Sequence, residues 1–151
     1  MPNTQKINPE ILGKTYTNNT PYTVGKEHIR EFAHATQAQS PLHHDTKTAQ
    51  KAGYRDIIAP PTYAIILAQQ ADSLLIQDPE SGIDFSRVVH ADQRFTHHQP
   101  ITAGDNIITS VHVENLRMIG TSAMLTTREE LHTTDGELLS TCTTSLLIRG
   151  E

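Results

Sequence analysis

The longest helical pattern of this chain is the stretch TYAIILAQQADSLLI, residues Thr62–Ile76. Apolar residues cover most of the circumference of the helix that this stretch would form: they are Ala64, Ile65, Leu67, Ala68, Ala71, Leu74 and Leu75. A helix that is apolar on most sides is buried in a protein core. Pro79 and Gly82 follow the stretch and end it. The pattern therefore predicts one long, buried helix near the middle of the chain.

After this helix, apolar and polar side chains alternate as they do in half-buried strands. Strands are predicted over Phe85–Gln99, Ile107–Met118, Ser122–Thr134 and Glu137–Arg149. The dipeptide Asp135-Gly136, between the last two, is a strong hairpin signal. One buried helix followed by an antiparallel meander indicates an α+β fold, with the helix against one face of the sheet.

The residues before the long helix predict three shorter elements. A strand is expected over Tyr16–Val24, and an amphipathic helix is expected from Lys26 to about Thr36. Asp45 is a favoured residue type for the first position of a helix, and Gly53 for the position after its end. We therefore expect a short helix between Asp45 and Gly53, with the aspartate capping it and taking no part in chemistry.

Composition excludes several classes of protein. The net charge of −5 and the absence of lysine or arginine runs argue against nucleic-acid binding. Cys142 is the single cysteine, so the chain can form no internal disulfide, and its place on a predicted strand favours a core position. Mean hydropathy is −0.43, and no apolar run approaches the roughly 18 residues of a membrane span. The first residues lack the apolar core of a signal peptide, so a cytoplasmic protein is expected.

The nine histidines do not indicate a metal site. His43-His44 and His97-His98 are adjacent pairs, and neighbours on a strand point to opposite faces. Neither H-x₃-H nor H-E-x-x-H spacing occurs, and a zinc site needs three or four converging ligands. We expect no metal.

The stretch FAHATQAQSPLHHD, Phe32–Asp45, resembles the catalytic loop of MaoC-like (R)-specific enoyl-thioester hydratases and dehydratases. Their pattern is roughly [FY]-A-x-A-[ST]-G-D-x-N-P-[IL]-H-x-D. His43 takes the place of the catalytic histidine, and Pro41-Leu42 match the residues before it. The place of the catalytic aspartate falls on Ala38. The resemblance therefore implies half of an Asp–His pair.

Three further stretches are similar to the N-terminal, FAS1-like dehydratase type of the same family: Ile58–Tyr63, Val88–Phe95 and Pro100–Asp105. The chain is also similar to subunits of actinobacterial (3R)-hydroxyacyl-ACP dehydratases. This resemblance implies a hot-dog fold, in which a curved antiparallel sheet wraps around a long central helix. A single domain is expected over residues 1–151, with its core over about 13–149.

The departures from the family pattern bear on chemistry. Hydration of an enoyl thioester needs one group that takes a proton from water and one that gives a proton to the α-carbon. Alanine at position 38 can do neither, whereas His43 is a base near neutral pH. By resemblance, Ala59, Pro60, Pro61, Thr62 and Tyr63 contact substrate. Pro61 stands where the family has a glycine whose N–H helps to hold the thioester oxygen, and proline has no N–H. A plain structural role, the start of a helix, also fits Pro60-Pro61.

The resemblance implies acyl thioesters of coenzyme A or acyl carrier protein as substrates, no cofactor, and a site formed where two hot-dog units meet. Three interpretations stay open. The chain is a substrate-binding subunit that works with a second hot-dog chain carrying an intact Asp–His pair. Or it is a homodimeric hydratase that uses His43 with a substitute acid, for which Asp45 and His44 are nearest. Or it is a non-catalytic acyl-thioester module or a thioesterase, although the first helical turns, Thr62–Ala68, lack the carboxylate of hot-dog thioesterases.

Overall fold

The structure, a computed structural model, describes residues 6–150. Its helices and strands, in chain order, are β1 (Thr15–Thr23), α1 (Lys26–Ala35), α2 (Thr46–Lys51), α3 (Ala64–Ile76), β2 (Val88–His97), β3 (Asn106–Ile119), β4 (Ser122–Thr133) and β5 (Leu138–Ile148). Short 3₁₀ turns join them, among which Pro41–His43 and Pro61–Tyr63 lie next to the candidate site.

The five strands form one antiparallel sheet in the order β1-β3-β4-β5-β2. Helix α3 packs against the inner face of this sheet, where alternate residues of β3, β4 and β5 are buried. The α+β class and the hot-dog arrangement are therefore confirmed. Strands β1 and β2 are the two edges, and most of β2 is exposed.

Only one side of α3 is fully buried. That side comprises Ala64, Leu67, Ala68, Ala71, Asp72 and Leu75. Ile65, Ile66 and Leu74 are half-buried on the other side, because a single sheet covers a single face of the helix. The expectation of burial around most of the helix is therefore correct for one face only, and that face includes an aspartate.

Local signals placed most elements correctly. The Asp45 carboxylate accepts a hydrogen bond from the Thr48 N–H at 2.9 Å and caps α2, as expected. Gly136 has φ of 90° in the hairpin between β4 and β5, a value that favours glycine. Cys142 is fully buried. The strand expected from Phe85 begins instead at Val88, because the preceding residues form a 3₁₀ turn capped by Asp84.

Among residues 6–150, no helix is long and apolar enough to cross a membrane.

Candidate functional site

A groove of about 410 Å³ lies beside the start of α3. Its walls come from the turn that carries His43, from the segment leading into α3, and from the end of β2 with the loop after it. The lining residues are His43, Ile58, Ala59, Pro60, Pro61, His97, His98, Gln99, Pro100 and Ile101. The structure thus brings together four residues that the sequence predicted for the site, His43 and Ala59–Pro61, although they are up to 18 positions apart.

Backbone hydrogen bonds fix the turn that carries His43. The Ile58 N–H donates to the Leu42 carbonyl at 3.0 Å, and the His43 N–H donates to the Ser40 carbonyl at 3.1 Å. The His43 ring makes a third contact, from Nδ1 to the carbonyl oxygen of Ile58 at 2.7 Å. These contacts tie the histidine turn to the segment that leads into α3.

The contact with Ile58 decides the tautomer of His43. A carbonyl oxygen can only accept, so Nδ1 carries the hydrogen and donates it. In the neutral ring Nε2 is then unprotonated and can accept a proton. The side chain lines the groove while only 9% of the residue is exposed. The ring of His43 is therefore held at the groove with Nε2 left as a hydrogen-bond acceptor.

Ala38 lies outside the groove lining. Its N–H donates to the Ala33 carbonyl at 2.8 Å, and its own carbonyl accepts from Nε2 of His44 at 2.8 Å. Gln37 before it has φ of 59°, a left-handed conformation that is rare for a side-chain-bearing residue. The family pattern has glycine at this position, because glycine adopts a left-handed conformation without strain.

The two residues considered as substitute acids are engaged elsewhere. The Asp45 carboxylate caps α2, and the hydrogen bonds that it accepts from Thr48 lower its pKa. The His44 ring holds the Ala38 carbonyl. Neither side chain lines the groove, so neither supplies a second proton-transfer group there.

The turn over Pro100–Asp105 contributes to one wall of the groove through its first two residues, Pro100 and Ile101. Gly104 has φ of 89°, which explains a glycine at this position. The buried Asp105 carboxylate accepts from the Thr102 N–H at 2.8 Å and pairs with the Arg55 guanidinium. The Ala59 N–H donates to the Ile101 carbonyl at 2.7 Å, which joins this wall to the segment before α3.

The sequence of the chain matches a known family over most of its length. The model of the "FAS1-like, dehydratase domain region" matches residues 10–142. The chain belongs to the FAS1-like dehydratase family. It is 44% identical over 144 residues to a UPF0336 protein of Saccharopolyspora erythraea, covering 95% of this chain and 92% of that protein. It is 43% identical over 145 residues to a UPF0336 protein of Thermobifida fusca, covering 96% of this chain and 95% of that protein.

Solved structures agree with this membership. A chain of the C-terminally truncated HadBC complex, a (3R)-hydroxyacyl-ACP dehydratase of Mycobacterium tuberculosis, has a TM-score of 0.83 and 29% identity, covering 91% of this chain and 96% of that chain. A MaoC-like dehydratase also has a TM-score of 0.83, with 26% identity, covering 92% of this chain and 42% of that chain. The present FAS1-like dehydratase domain is therefore of the MaoC-like, dehydratase type in fold.

Two histidines of this FAS1-like dehydratase domain were missed as groove residues. His97 Nδ1 lies 2.7 Å from Ser140 Oγ, and His98 Nε2 lies 3.1 Å from Thr141 Oγ1. Both line the groove with His43. The one signal in the sequence was their position just before the Pro100–Asp105 motif, because residues next to a motif that lines a groove are placed close to that groove.

Thr62 and Tyr63 do not line the groove. Thr62 is exposed, whereas Tyr63 is fully buried and its hydroxyl lies 3.0 Å from Nδ1 of His28 and 3.4 Å from the hydroxyl of Tyr22. Burial raises the pKa of Tyr63, so its hydroxyl stays protonated. The predicted contact of these two residues with substrate remains a prediction.

Within residues 6–150, no group of three or more histidine, cysteine, aspartate or glutamate side chains is arranged to hold a metal ion.

Proposed function

We propose that this chain is the acyl-thioester-binding subunit of an (R)-3-hydroxyacyl-thioester dehydratase and acts with a second hot-dog chain that carries an intact Asp–His pair. One observation carries the proposal. The groove contains a histidine with a free Nε2, but there is no carboxylate among its lining residues.

The reaction explains why a second proton-transfer group, such as a carboxylate, is needed. In hydration, a base removes a proton from water, the oxygen bonds to the β-carbon, and the α-carbon receives a proton. Dehydration is the same sequence reversed. Each transferring group must lie within about 3 Å of the proton that it moves. The reaction needs no cofactor, since coenzyme A or a carrier protein serves only to present the acyl thioester.

The groove also lacks a backbone donor for the thioester oxygen in the segment Ile58–Pro61. The Ile58 N–H is bound to Leu42 and the Ala59 N–H to Ile101. Pro60 and Pro61 have no N–H. Oxyanion stabilisation depends on such donors being free to point at the oxygen. Both the second proton-transfer group and the oxyanion donor would therefore come from the partner.

Two structural neighbours support a partner of the same fold. The HadBC structure is a complex that bears the name of a (3R)-hydroxyacyl-ACP dehydratase. The MaoC-like dehydratase is a longer chain, and the region similar to the present chain covers only 42% of it. In our proposal the second hot-dog unit is a separate chain, and it completes the site at the groove.

The test is hydration of crotonyl-CoA, and of a longer enoyl-CoA, by the purified chain, followed as loss of the enoyl-thioester absorbance. We expect no turnover by the chain alone. Turnover should appear when a hot-dog chain with a D-x₄-H pattern is added, and it should then depend on that chain's aspartate and histidine. Turnover by the native chain alone that disappears in His43→Ala, but persists in the matched control His44→Ala, would overturn the proposal.

Turnover by the native chain alone that depends on His43 would favour the alternative function, a homodimeric hydratase. One observation supports this alternative. His97 shares the groove with His43, and a protonated imidazole can donate the proton that the α-carbon requires. A thioesterase has less support, because the carboxylate on α3, Asp72, is buried against the sheet and lies outside the groove.

A further inference from the structure

Two carboxyl groups meet in the core, outside the lining of the groove. Asp72 on α3 is 5% exposed, and Glu129 on β4 is completely buried. The Thr127 hydroxyl lies within hydrogen-bond distance of both carboxyl groups and bridges them. Nothing in the proposed reaction uses this pair, and a buried charge without compensation is costly.

The geometry around Thr127 favours a pair that is not fully ionised. The Thr127 Oγ1 lies 3.0 Å from Asp72 Oδ1 and 2.5 Å from Glu129 Oε1. A hydroxyl has one hydrogen, so a full hydrogen bond to one of these oxygens leaves the other contact without a hydrogen. A proton on one of the two carboxyl groups supplies the second hydrogen.

Burial raises the pKa of Asp72 and outweighs the charge of His90 on β2, which lowers it. Thr144 of β5 lies 3.1 Å from Glu129 Oε2 and 2.9 Å from Gln93 Oε1 of β2, and His90 contacts the same Gln93 oxygen at 3.0 Å. Cys142 of β5 is a further titratable group that interacts with the two carboxyl groups. The inner face of β3 presents Ile107, Thr109, Val111 and Val113, none of them charged.

We propose that Asp72 and Glu129 form a one-proton lock between α3 and the sheet: at neutral pH the folded chain holds a single shared proton there, and separation of α3 from β4 releases it. The lock makes the folded state sensitive to alkali at a place outside the groove lining. Because α3 begins at the groove wall, separation of α3 would also dismantle the groove.

The direction of the pH dependence follows from linkage. Burial and the neighbouring carboxyl group raise the pKa of Glu129 from 4.5 to about 10. Between these values the folded state binds one more proton than the unfolded state. The stabilisation that the folded state gains from this extra proton is thus complete below pH 4.5 and is lost as the pH rises toward 10. Burial also raises the pKa of Cys142 from 9.0 to about 12, with the same sign, so ionisation of the unfolded thiol adds to the slope near pH 8.5 in wild type and Glu129→Gln alike.

The experiment is urea unfolding of the chain between pH 7 and pH 8.5. The unfolding equilibrium constant should rise about tenfold per pH unit, the effect of one proton. Glu129→Gln is isosteric with the protonated acid and should remove most of this slope. The matched control Glu130→Gln changes the next residue, which pairs with Arg128 on the outer face, and should keep the slope.

Infrared spectroscopy gives a second readout that needs no stability measurement. The folded wild-type chain at pH 7.5 should show the carbonyl band of a protonated carboxylic acid, and Glu129→Gln should lack it. Equal slopes for wild type and Glu129→Gln, or absence of the band from the wild type, would overturn the lock. If Glu129→Gln did not fold, the wild-type slope and band would still decide the question.

Discussion

Nδ1 of His43 lies 2.7 Å from the carbonyl oxygen of Ile58, so the histidine turn and the segment entering α3 hold each other. This contact orients the imidazole and leaves Nε2 for the groove. Among the residues that line the groove there is no carboxylate beside His43. The proposed function rests on this imbalance.

Ala38→Asp should give the isolated chain more hydratase activity than the native chain has. A positioned proton-transfer group contributes roughly 10²–10⁴-fold in rate. We expect a gain of about tenfold over background, below that range, because position 38 lies outside the groove lining and Pro61 still offers no N–H to the thioester oxygen. Enoyl-CoA hydration measures the effect. Ala38→Asn, which adds an amide of the same shape, should gain nothing, and an equal gain with asparagine would contradict the explanation.

Gln37→Gly should stabilise the chain. Gln37 has φ of 59°, and a side chain in the left-handed region costs roughly 1–2 kcal/mol. Glycine removes this strain but loses about 0.5–1 kcal/mol to unfolded-state entropy. We expect a net gain of about 0.5–1 kcal/mol by urea unfolding. Gln37→Ala keeps the strain and should show no gain in stability. A gain with alanine as large as that with glycine would show that relief of backbone strain is not its cause.

Removal of the α2 cap should destabilise the chain in a pH-dependent way. The Asp45 carboxylate accepts from the Thr48 N–H, and this bond lowers the pKa of Asp45. Its contribution is therefore present above the unfolded pKa of 3.8 and is lost as the pH falls below it. Asp45→Ala should lower the melting temperature at pH 7 and have less effect near pH 3. Asp45→Asn, which also caps, should behave like wild type at pH 7.

Tyr63→Phe tests the hydroxyl cluster behind the groove. Tyr63 is fully buried, and its hydroxyl lies 3.0 Å from Nδ1 of His28. Loss of one such hydrogen bond costs about 1 kcal/mol. Tyr63→Ala should cost about 3–5 kcal/mol, since it also leaves a cavity. Urea unfolding separates the two effects. Similar losses for phenylalanine and alanine would show that the ring contributes little packing energy.

Asp105→Ala should weaken the groove wall. The Asp105 carboxylate accepts from the buried Thr102 N–H, and an unsatisfied buried donor costs about 1–3 kcal/mol. Asp105→Asn keeps an acceptor for this N–H and loses only the charge on the Arg55 pair. Because 71% of the Arg55 side chain is exposed, that loss should be small, about 0–1 kcal/mol. Unfolding free energies test this prediction: that of Asp105→Ala should be well below that of Asp105→Asn.

Some features of this chain were determined by the sequence itself. The cap at Asp45, the hairpin at Gly136 and the period of α3 depend on hydrogen bonds and side-chain spacing within a few residues. For that reason they could be predicted without knowledge of the neighbours. The lack of a carboxylate at Ala38 and of an N–H at Pro61 is likewise a property of the residue types, whatever the fold.

Tertiary structure alone decided the rest. The order β1-β3-β4-β5-β2 brings His97 into the groove with His43, and it places Glu129 against Asp72, which lies 57 positions away in the sequence. Asp45 and His44, although within two positions of His43, lie outside the groove lining, and their own hydrogen bonds hold them elsewhere. Local patterns determine elements, but which side chains face each other depends on strand order and register. The composition of the groove and the buried carboxyl pair follow from these long-range contacts.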